Sequence, residues 1–159
     1  MTIKICCVGK LKDAFYAEGC AEYQKRLSRF CTVRVVEVAD EKAPETLSAA
    51  EAEKVKAREG ERLLGAIDPK DIVIALTIGG RRYTSEAFSA HLEALETGGA
   101  KSVAFVIGGS LGLSEAVLRR ANETLSLSDL TLPHRLARLV LSEQLFRAYK
   151  IRRNEAYHK

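Results

Sequence analysis

One segment of the chain, FVIGGSLGLSE at residues 105–115, combines glycines with the transition from a strand to a helix. Gly108 and Gly109 follow an apolar run, Gly112 comes three residues later, and helix-forming residues continue from there. Glycine-rich turns of this kind often hold phosphate groups, because free backbone N–H groups point outward from them. Phosphate binding is therefore the first function that these residues suggest.

The glycine spacing does not match either common phosphate motif. A P-loop needs a lysine after its last glycine, and Leu113 stands there. A dinucleotide fingerprint follows the first strand of its unit, whereas these glycines come after at least three predicted strands, and only 47 residues follow Gly112. Two adjacent glycines instead allow a flat, mostly uncharged ligand, such as the adenosine of S-adenosylmethionine, to lie against the backbone. A tight structural turn is the alternative.

Basic residues concentrate at the end of the chain. The formal net charge is +4, and residues 134–159 carry seven Lys and Arg residues against two Glu residues. A basic segment on a near-neutral body indicates a surface that faces a polyanion, and a merely solvated helix face is the alternative. We interpret this segment, rather than the glycine turn, as the place where a polyanion binds.

Composition and cysteine spacing exclude other classes. With 47% hydrophobic and 29% charged residues, the chain has the composition of a globular protein. No apolar stretch has the length to cross a bilayer, and the N-terminus lacks the layout of a secretory signal, so we expect a cytoplasmic protein. The four cysteines form no C-x-x-C pair, so we predict reduced thiols and no metal site.

Strands and helices are predicted to alternate along the chain. Apolar or β-branched runs predict strands at 3–8, 33–38, 71–78 and 102–107, the third of them closed by Gly79 and Gly80. Helical spacing or capping signals predict helices near 16–30, 44–64, 84–96, 114–125 and 135–151, with Pro44 in a first turn. This alternation predicts one α/β domain, residues 1–159, with a mainly parallel sheet.

The last predicted helix is apolar around more than one face. Leu136, Leu139, Leu141, Leu145 and Tyr149 do not share a single stripe. Such a helix is buried from more than one side. Either the sheet and a neighbouring helix cover it, or a second copy of the chain does.

Over its whole length the chain resembles the RlmH family, the small SPOUT-class methyltransferases of bacterial ribosomal RNA. The motifs that carry the resemblance are VGKLK near the start, DEKAPE, TSE, FVIGGSLGL, SLSDLTLPH and the terminal NEAYHK. The resemblance implies an α/β fold with a C-terminal trefoil knot and a homodimer whose cofactor pockets lie near the partner subunit. It implies methyl transfer from S-adenosylmethionine to N3 of a pseudouridine in helix 69 of 23S ribosomal RNA, with the assembled ribosome as substrate.

The same resemblance assigns residues to the cofactor. Leu76, at the end of its strand, is expected to line the adenosine pocket, and Gly108 to lie against the cofactor. The segment LSDLTL is expected to wrap the cofactor with backbone groups. Its residues are Leu127, Ser128, Asp129, Leu130, Thr131 and Leu132.

The implied reaction removes the proton of the N3 imide, so that a base assists it. His134, at the start of the last helix, and Tyr157 and His158 in the tail are the catalytic candidates, and Tyr157 is also suited to stack on the target base. The candidates for RNA phosphates are Arg147, Arg152 and Arg153. Two alternatives to these catalytic roles are that His134 only forms hydrogen bonds with backbone groups and that the tail takes no part in the reaction.

Two other functions remain open from the sequence. One is a SPOUT-type methyltransferase with another RNA target. The other is a ribosome-binding module without catalysis, which has no need to bind S-adenosylmethionine.

Overall fold

Strands and helices alternate in the computed structural model, which describes residues 1–158. None of the described helices is both long and apolar enough to cross a membrane. In chain order the elements are β1 Thr2–Val8, α1 Ala14–Leu27, β2 Thr32–Val38, α2 Ala49–Gly65, β3 Ile72–Arg81, α3 Ser85–Thr97, β4 Ser102–Ile107, α4 Glu115–Arg120, β5 Glu123–Leu125 and α5 His134–Arg152.

The five strands form one sheet in the order β2-β1-β4-β3-β5, and every neighbouring pair is parallel. The predicted α/β fold with a parallel sheet is confirmed; the trefoil knot stays a prediction. β1 and β4 are buried almost throughout because helices cover both faces. The adjacent Cys6 and Cys7 accordingly point into different cores, one on each side of the sheet.

Helices α1, α3 and α5 cover one face of the sheet, and α2 and α4 cover the other. α5 packs against α1 on one side and α3 on the other. Gly19 lets α1 approach closely, since a Cβ there would lie 2.9 Å from the Cδ1 atom of Leu139. Packing within the chain therefore buries Leu141, Leu145 and Tyr149, whereas Leu136 and Leu139 are half-buried.

Two sequence predictions about element boundaries were wrong. α2 begins at Ala49 with Ser48 as its N-cap, so Pro44 lies before the helix. β3 continues through both glycines to Arg81, because Leu76 and Arg81 both pair with Leu125 of β5 across a shift in the strand register. Gly80 permits this, since a Cβ there would lie 2.6 Å from the carbonyl carbon of Leu125.

The strand β5 itself was not predicted. Residues 123–125 continue a helical pattern in the sequence but pair with β3 in the structure. The side chain of Asn122 accepts a hydrogen bond from the Val73 backbone at 2.8 Å, and the Asn122 N–H donates to the Val73 carbonyl. These long-range bonds end α4 and start the strand, which local propensity does not foresee.

A buried ion cluster joins three strands at the amino edge of the sheet. Lys4 of β1 donates to Asp71, just before β3, at 2.8 Å and also pairs with the more exposed Asp68. Asp71 accepts further bonds from the Ser102 hydroxyl at the start of β4 and from the Asp68 N–H. Burial by itself would raise the pKa of Asp71, but these hydrogen bonds outweigh it and hold the pKa below its usual value.

Replacing Lys4 should destabilise the fold. Lys4→Met leaves the carboxylate of Asp71 buried without its cation, so the free energy of unfolding should fall by about 3–5 kcal/mol at pH 7. Urea unfolding measures this change. Lys70→Met, in the exposed turn beside the cluster, is the matched control and should shift it by less than about 0.5 kcal/mol.

The cluster also predicts a pH dependence. Because the folded pKa of Asp71 is lowered, its contribution is complete above the unfolded carboxyl pKa of about 4 and is lost as the pH falls through the folded value. Asp71→Asn should therefore flatten the loss of stability below about pH 4. A Lys4→Met protein as stable as wild type at pH 7 would contradict the role of the cluster.

Candidate active site

The carboxyl-terminal half of β3 and the loops that follow β4 and β5 meet at the carboxyl edge of the sheet, because all the strands run in the same direction. Between these loops and the first turn of α5 lies a cavity of about 720 Å³. This volume is within the usual range for small-molecule sites. The cavity is lined by residues 76–78, 107–113, 118, 125–128, 130–134 and 137.

Among residues 1–158, the lining carries no Lys, Arg, Asp or Glu side chain, and His134 is its one titratable group. Without a cation the cavity cannot neutralise a phosphate group. Among residues 1–158, no group of three or more His, Cys, Asp or Glu side chains stands where it could hold a metal ion. The cavity is suited to a flat, largely apolar ligand held by backbone groups.

The glycine turn is shaped by its own backbone. A Cβ on Gly108 would lie 2.6 Å from the carbonyl carbon of Gly112, and Gly112 has a φ of +89°. Gly109 and Gly112 form a short antiparallel bridge that folds the turn back on itself. The missing side chain of Gly108 is thus required for the turn to close, and the closed turn forms one wall of the cavity.

Residues 126–133 form the opposite wall. The Ser126 N–H donates to the Arg81 carbonyl at 2.9 Å, which fixes the start of this segment against β3. The Ser128 hydroxyl accepts from the Leu130 N–H at 2.9 Å. Of the six residues predicted here, Asp129 is not in the lining, since its carboxylate turns outward and pairs with Arg82.

His134 lies in the lining at the first residue of α5. Burial, and after it the positive charge of Arg135, lowers the pKa of His134 below its usual value, while Asp40 acts weakly in the opposite direction. At pH 7 the imidazole is therefore neutral and has a nitrogen that can accept a proton.

The other two catalytic candidates lie away from this cavity. The Tyr157 hydroxyl donates to Glu143 at 3.0 Å, and an imidazole nitrogen of His158 lies 2.7 Å from Glu86. Glu143 is nine residues after His134 on α5, which corresponds to about 13 Å along the helix axis. Within one chain the fold does not bring His134 and the tail together.

The three arginines predicted to bind RNA phosphates are spread along α5. Arg147 pairs with Glu143, Arg152 pairs with Glu96, and the guanidinium of Arg153 lies 4.9 Å from the centre of the Phe30 ring. Arg152 is at the amino edge of the sheet, about 27 Å along α5 from the cavity. The first two side chains therefore already have acidic partners in the chain.

Sequence reasoning missed an apolar rim around the cavity. Ile78, Leu111, Leu118 and Leu130 all line it and are exposed, Ile78 to 72% and Leu130 to 77%. Of the large apolar side chains exposed in the described residues, only Phe15 lies elsewhere. The sequence pattern that could have indicated this rim is the set of leucines beside small polar residues in the loops after β4 and β5. The same pattern is equally typical of side chains in the hydrophobic core.

The fold and the cavity define a class of protein: α/β proteins with a parallel sheet and an uncharged ligand cavity at its carboxyl edge. A family model described as "Predicted SPOUT methyltransferase" matches residues 1–158. The chain belongs to this family of SPOUT methyltransferases, which confirms the resemblance seen in the sequence.

Three relatives that match over their full length carry the name Ribosomal RNA large subunit methyltransferase H. The chain is 57% identical to the protein of Listeria monocytogenes serovar 1/2a, 55% to that of Lacticaseibacillus casei and 53% to that of Exiguobacterium sibiricum. In each case the match spans 159 residues and all of both chains.

Solved structures support the fold. A probable methylase family protein from Haemophilus influenzae matches with a TM-score of 0.55 and 16% identity over 99% of this chain and 70% of that one. A putative methyltransferase from Legionella pneumophila, in complex with S-adenosylmethionine, matches with a TM-score of 0.50 and 12% identity over 91% of this chain and 65% of that one.

The closed glycine turn generates a prediction. Gly108→Ala should lower the free energy of unfolding by about 1–3 kcal/mol, because the new methyl group meets backbone that must move. Gly79→Ala is the control, since a Cβ at Gly79 meets nothing within 4 Å. Urea denaturation of both variants measures the difference, and equal midpoints would show that the turn does not need a glycine at 108.

Proposed function

We propose that this protein is an S-adenosylmethionine-dependent methyltransferase that methylates N3 of a pseudouridine in helix 69 of 23S ribosomal RNA, acting in the cytoplasm on the assembled ribosome. The observation that carries the proposal is the uncharged cavity at the carboxyl edge of the sheet, in a chain more than half identical to relatives named as large-subunit ribosomal RNA methyltransferases.

The residues of the cavity fit S-adenosylmethionine. Leu76, Leu127 and Leu132 offer apolar contacts, and the loop backbone offers donors and acceptors for a base and a ribose. In the part of the chain that the structure describes, no Lys or Arg side chain stands in the lining to repel a sulfonium cation or to attract a phosphate. When bound, the cofactor supplies an electrophilic methyl group, which passes to a nitrogen as its bond to sulfur breaks.

The residues of the chain then have two tasks. The walls of the cavity hold the cofactor so that donor and acceptor atoms meet in line and near contact. The neutral imidazole of His134 accepts the proton that N3 loses, since it is the one titratable side chain that the described residues bring to the lining. No metal ion is required for either task.

Tyr157 and His158 are proposed to reach the target base from a partner subunit in a homodimer. Two observations support this: the tail lies away from the cavity of its own chain, and the cavity is rimmed by exposed apolar side chains. Monomeric proteins rarely expose such a patch without a partner for it. Arg147, Arg152 and Arg153 would then bind RNA phosphates around the same composite site, Arg152 by exchanging its carboxylate partner for a phosphate and Arg147 while it stays paired with Glu143.

The proposal predicts methyl transfer to ribosomes. Wild-type protein with labelled S-adenosylmethionine should label intact ribosomes lacking the modification, and mapping of the RNA by mass should place one methyl group on a helix 69 pseudouridine. Deletion of residues 156–159 should reduce the methylation rate by about tenfold or more, which is the effect expected when a general acid–base or base-stacking group is lost. Binding of S-adenosylmethionine, measured by calorimetry, should persist.

Separate outcomes address the alternatives. Labelling of transfer RNA or of another ribosomal position would identify a SPOUT enzyme with a different target. Absence of cofactor binding would favour a module without catalysis. Normal methylation by the truncated protein would remove Tyr157 and His158 from the site.

The proposed homodimer can be tested by substitutions in the apolar rim, which is its proposed contact surface. Ile78→Glu combined with Leu130→Glu places charges in the apolar rim, so the dimer should dissociate and the sedimenting mass should approach the 17.5 kDa of one chain. Ala94→Glu, at an exposed position of α3, should leave the mass unchanged. A wild-type protein that sediments as a monomer would contradict the homodimer.

A further inference from the structure

The C-terminal segment, defined here as residues 154–158, is anchored to the helices of its own chain. It turns back at Asn154, which has a φ of +55° and whose N–H donates to the Ile151 carbonyl. The Tyr157 ring packs edge-on against Phe146, with ring centres 4.9 Å apart. His158 lies between Glu86 of α3 and Arg147 of α5.

Glu143 of α5 is the point where these contacts meet. One of its carboxylate oxygens accepts from the Tyr157 hydroxyl at 3.0 Å and from the Arg147 Nε at 2.9 Å. The other accepts from the Gln144 side chain at 2.7 Å. The carboxylate therefore binds the segment directly and also fixes Arg147, whose guanidinium lies 4.7 Å from the centre of the Tyr157 ring.

The network continues into the first turn of α3. Gln144, held by Glu143, accepts from the Ser85 hydroxyl at 2.9 Å. The next residue, Glu86, holds His158. The side chain of Glu143 thus binds the C-terminal segment directly and reaches α3 through Gln144.

Burial distinguishes this carboxylate from a surface ion pair. Its side chain is 17% exposed, whereas Glu115, which pairs with Arg119 at the same helical spacing, is 81% exposed. A partly buried carboxylate with several donors is screened less by solvent and binds them more strongly. Burial, followed by contacts with Tyr23 and Glu143, raises the pKa of Tyr157, so its hydroxyl remains a donor near neutral pH.

We propose that Glu143 is a positioning residue: it holds the C-terminal segment against α5 and α3, so that Tyr157 and His158 are already in place when the RNA binds. This inference rests on the proposed function, since it concerns residues proposed to meet the target base. An ordered segment loses less conformational entropy on binding than a flexible one, which favours affinity for the ribosome.

The test is Glu143→Gln, which keeps the size of the side chain but removes its charge. The backbone order parameter of Tyr157 in the free protein, measured by NMR, should fall from about 0.85 to below about 0.6. The KM for ribosomes should rise on the order of tenfold, as expected for loss of a hydrogen bond to a charged group. The dissociation constant for S-adenosylmethionine should not change, because Glu143 does not line the cavity.

Two further variants keep the test specific. Glu53→Gln removes a carboxylate paired with Lys56 on α2, at the other face of the sheet, and should alter neither measurement. Tyr157→Phe removes the hydroxyl donor, so the double variant with Glu143→Gln should lose no more order at residue 157 than Glu143→Gln alone. Additive losses would show that the two side chains act independently.

Unchanged order at Tyr157 in Glu143→Gln would overturn the inference, and so would an unchanged KM for ribosomes alongside a disordered segment. Failure of the proposed function gives a different result. In that case wild-type protein would not methylate ribosomes, while the order parameters would still report whether Glu143 holds the segment.

Discussion

The structure depends on one constraint: all five strands of the sheet run in the same direction. Parallel neighbours cannot be joined by a tight turn, so each connection crosses a face of the sheet, and helices come to cover both sides. The same constraint brings the ends of β3, β4 and β5 together at one edge. The candidate active site is built from those ends, while the buried pair of Lys4 and Asp71 fastens the opposite edge.

The cavity is uncharged because its walls are formed partly by backbone without side chains. Gly108 lacks a side chain because the turn closes on its own backbone. This close approach brings main-chain groups to the cavity and leaves no space there for a side chain. The result is an uncharged site in a protein with a basic C-terminal helix. Cofactor and RNA are therefore proposed to bind separate surfaces, which a second subunit would bring together.

Much of the fold follows from the sequence, because burial imposes a local pattern on the chain. The nearly continuous apolar runs of β1, β3 and β4 predict strands covered on both faces, and the cap at Thr84 marks the start of α3. β5 escapes prediction because its three residues are held by pairing with β3 and not by their own propensity. Leu76, Gly108, Leu127 and Leu132 line the cavity, and their contact with a cofactor stays a prediction. The exposed rim at Ile78 and Leu130 has no distinct local pattern in the sequence.

The sequence by itself determined the alternation of strands and helices, the glycine turn, the absence of phosphate motifs and the concentration of charge in the last helix. It did so because these properties depend on neighbours within about a dozen residues, the reach of helical and strand periodicity. Tertiary structure alone decided which charges are paired. The sequence predicts that Arg147 and Arg152 belong to a polyanion-binding surface, yet each forms a salt bridge with a carboxylate of the same chain. The partner of Arg152, Glu96, is 56 residues away in the sequence. It also placed the tail beside Glu143 rather than beside His134, since that position depends on how α5 packs between α1 and α3.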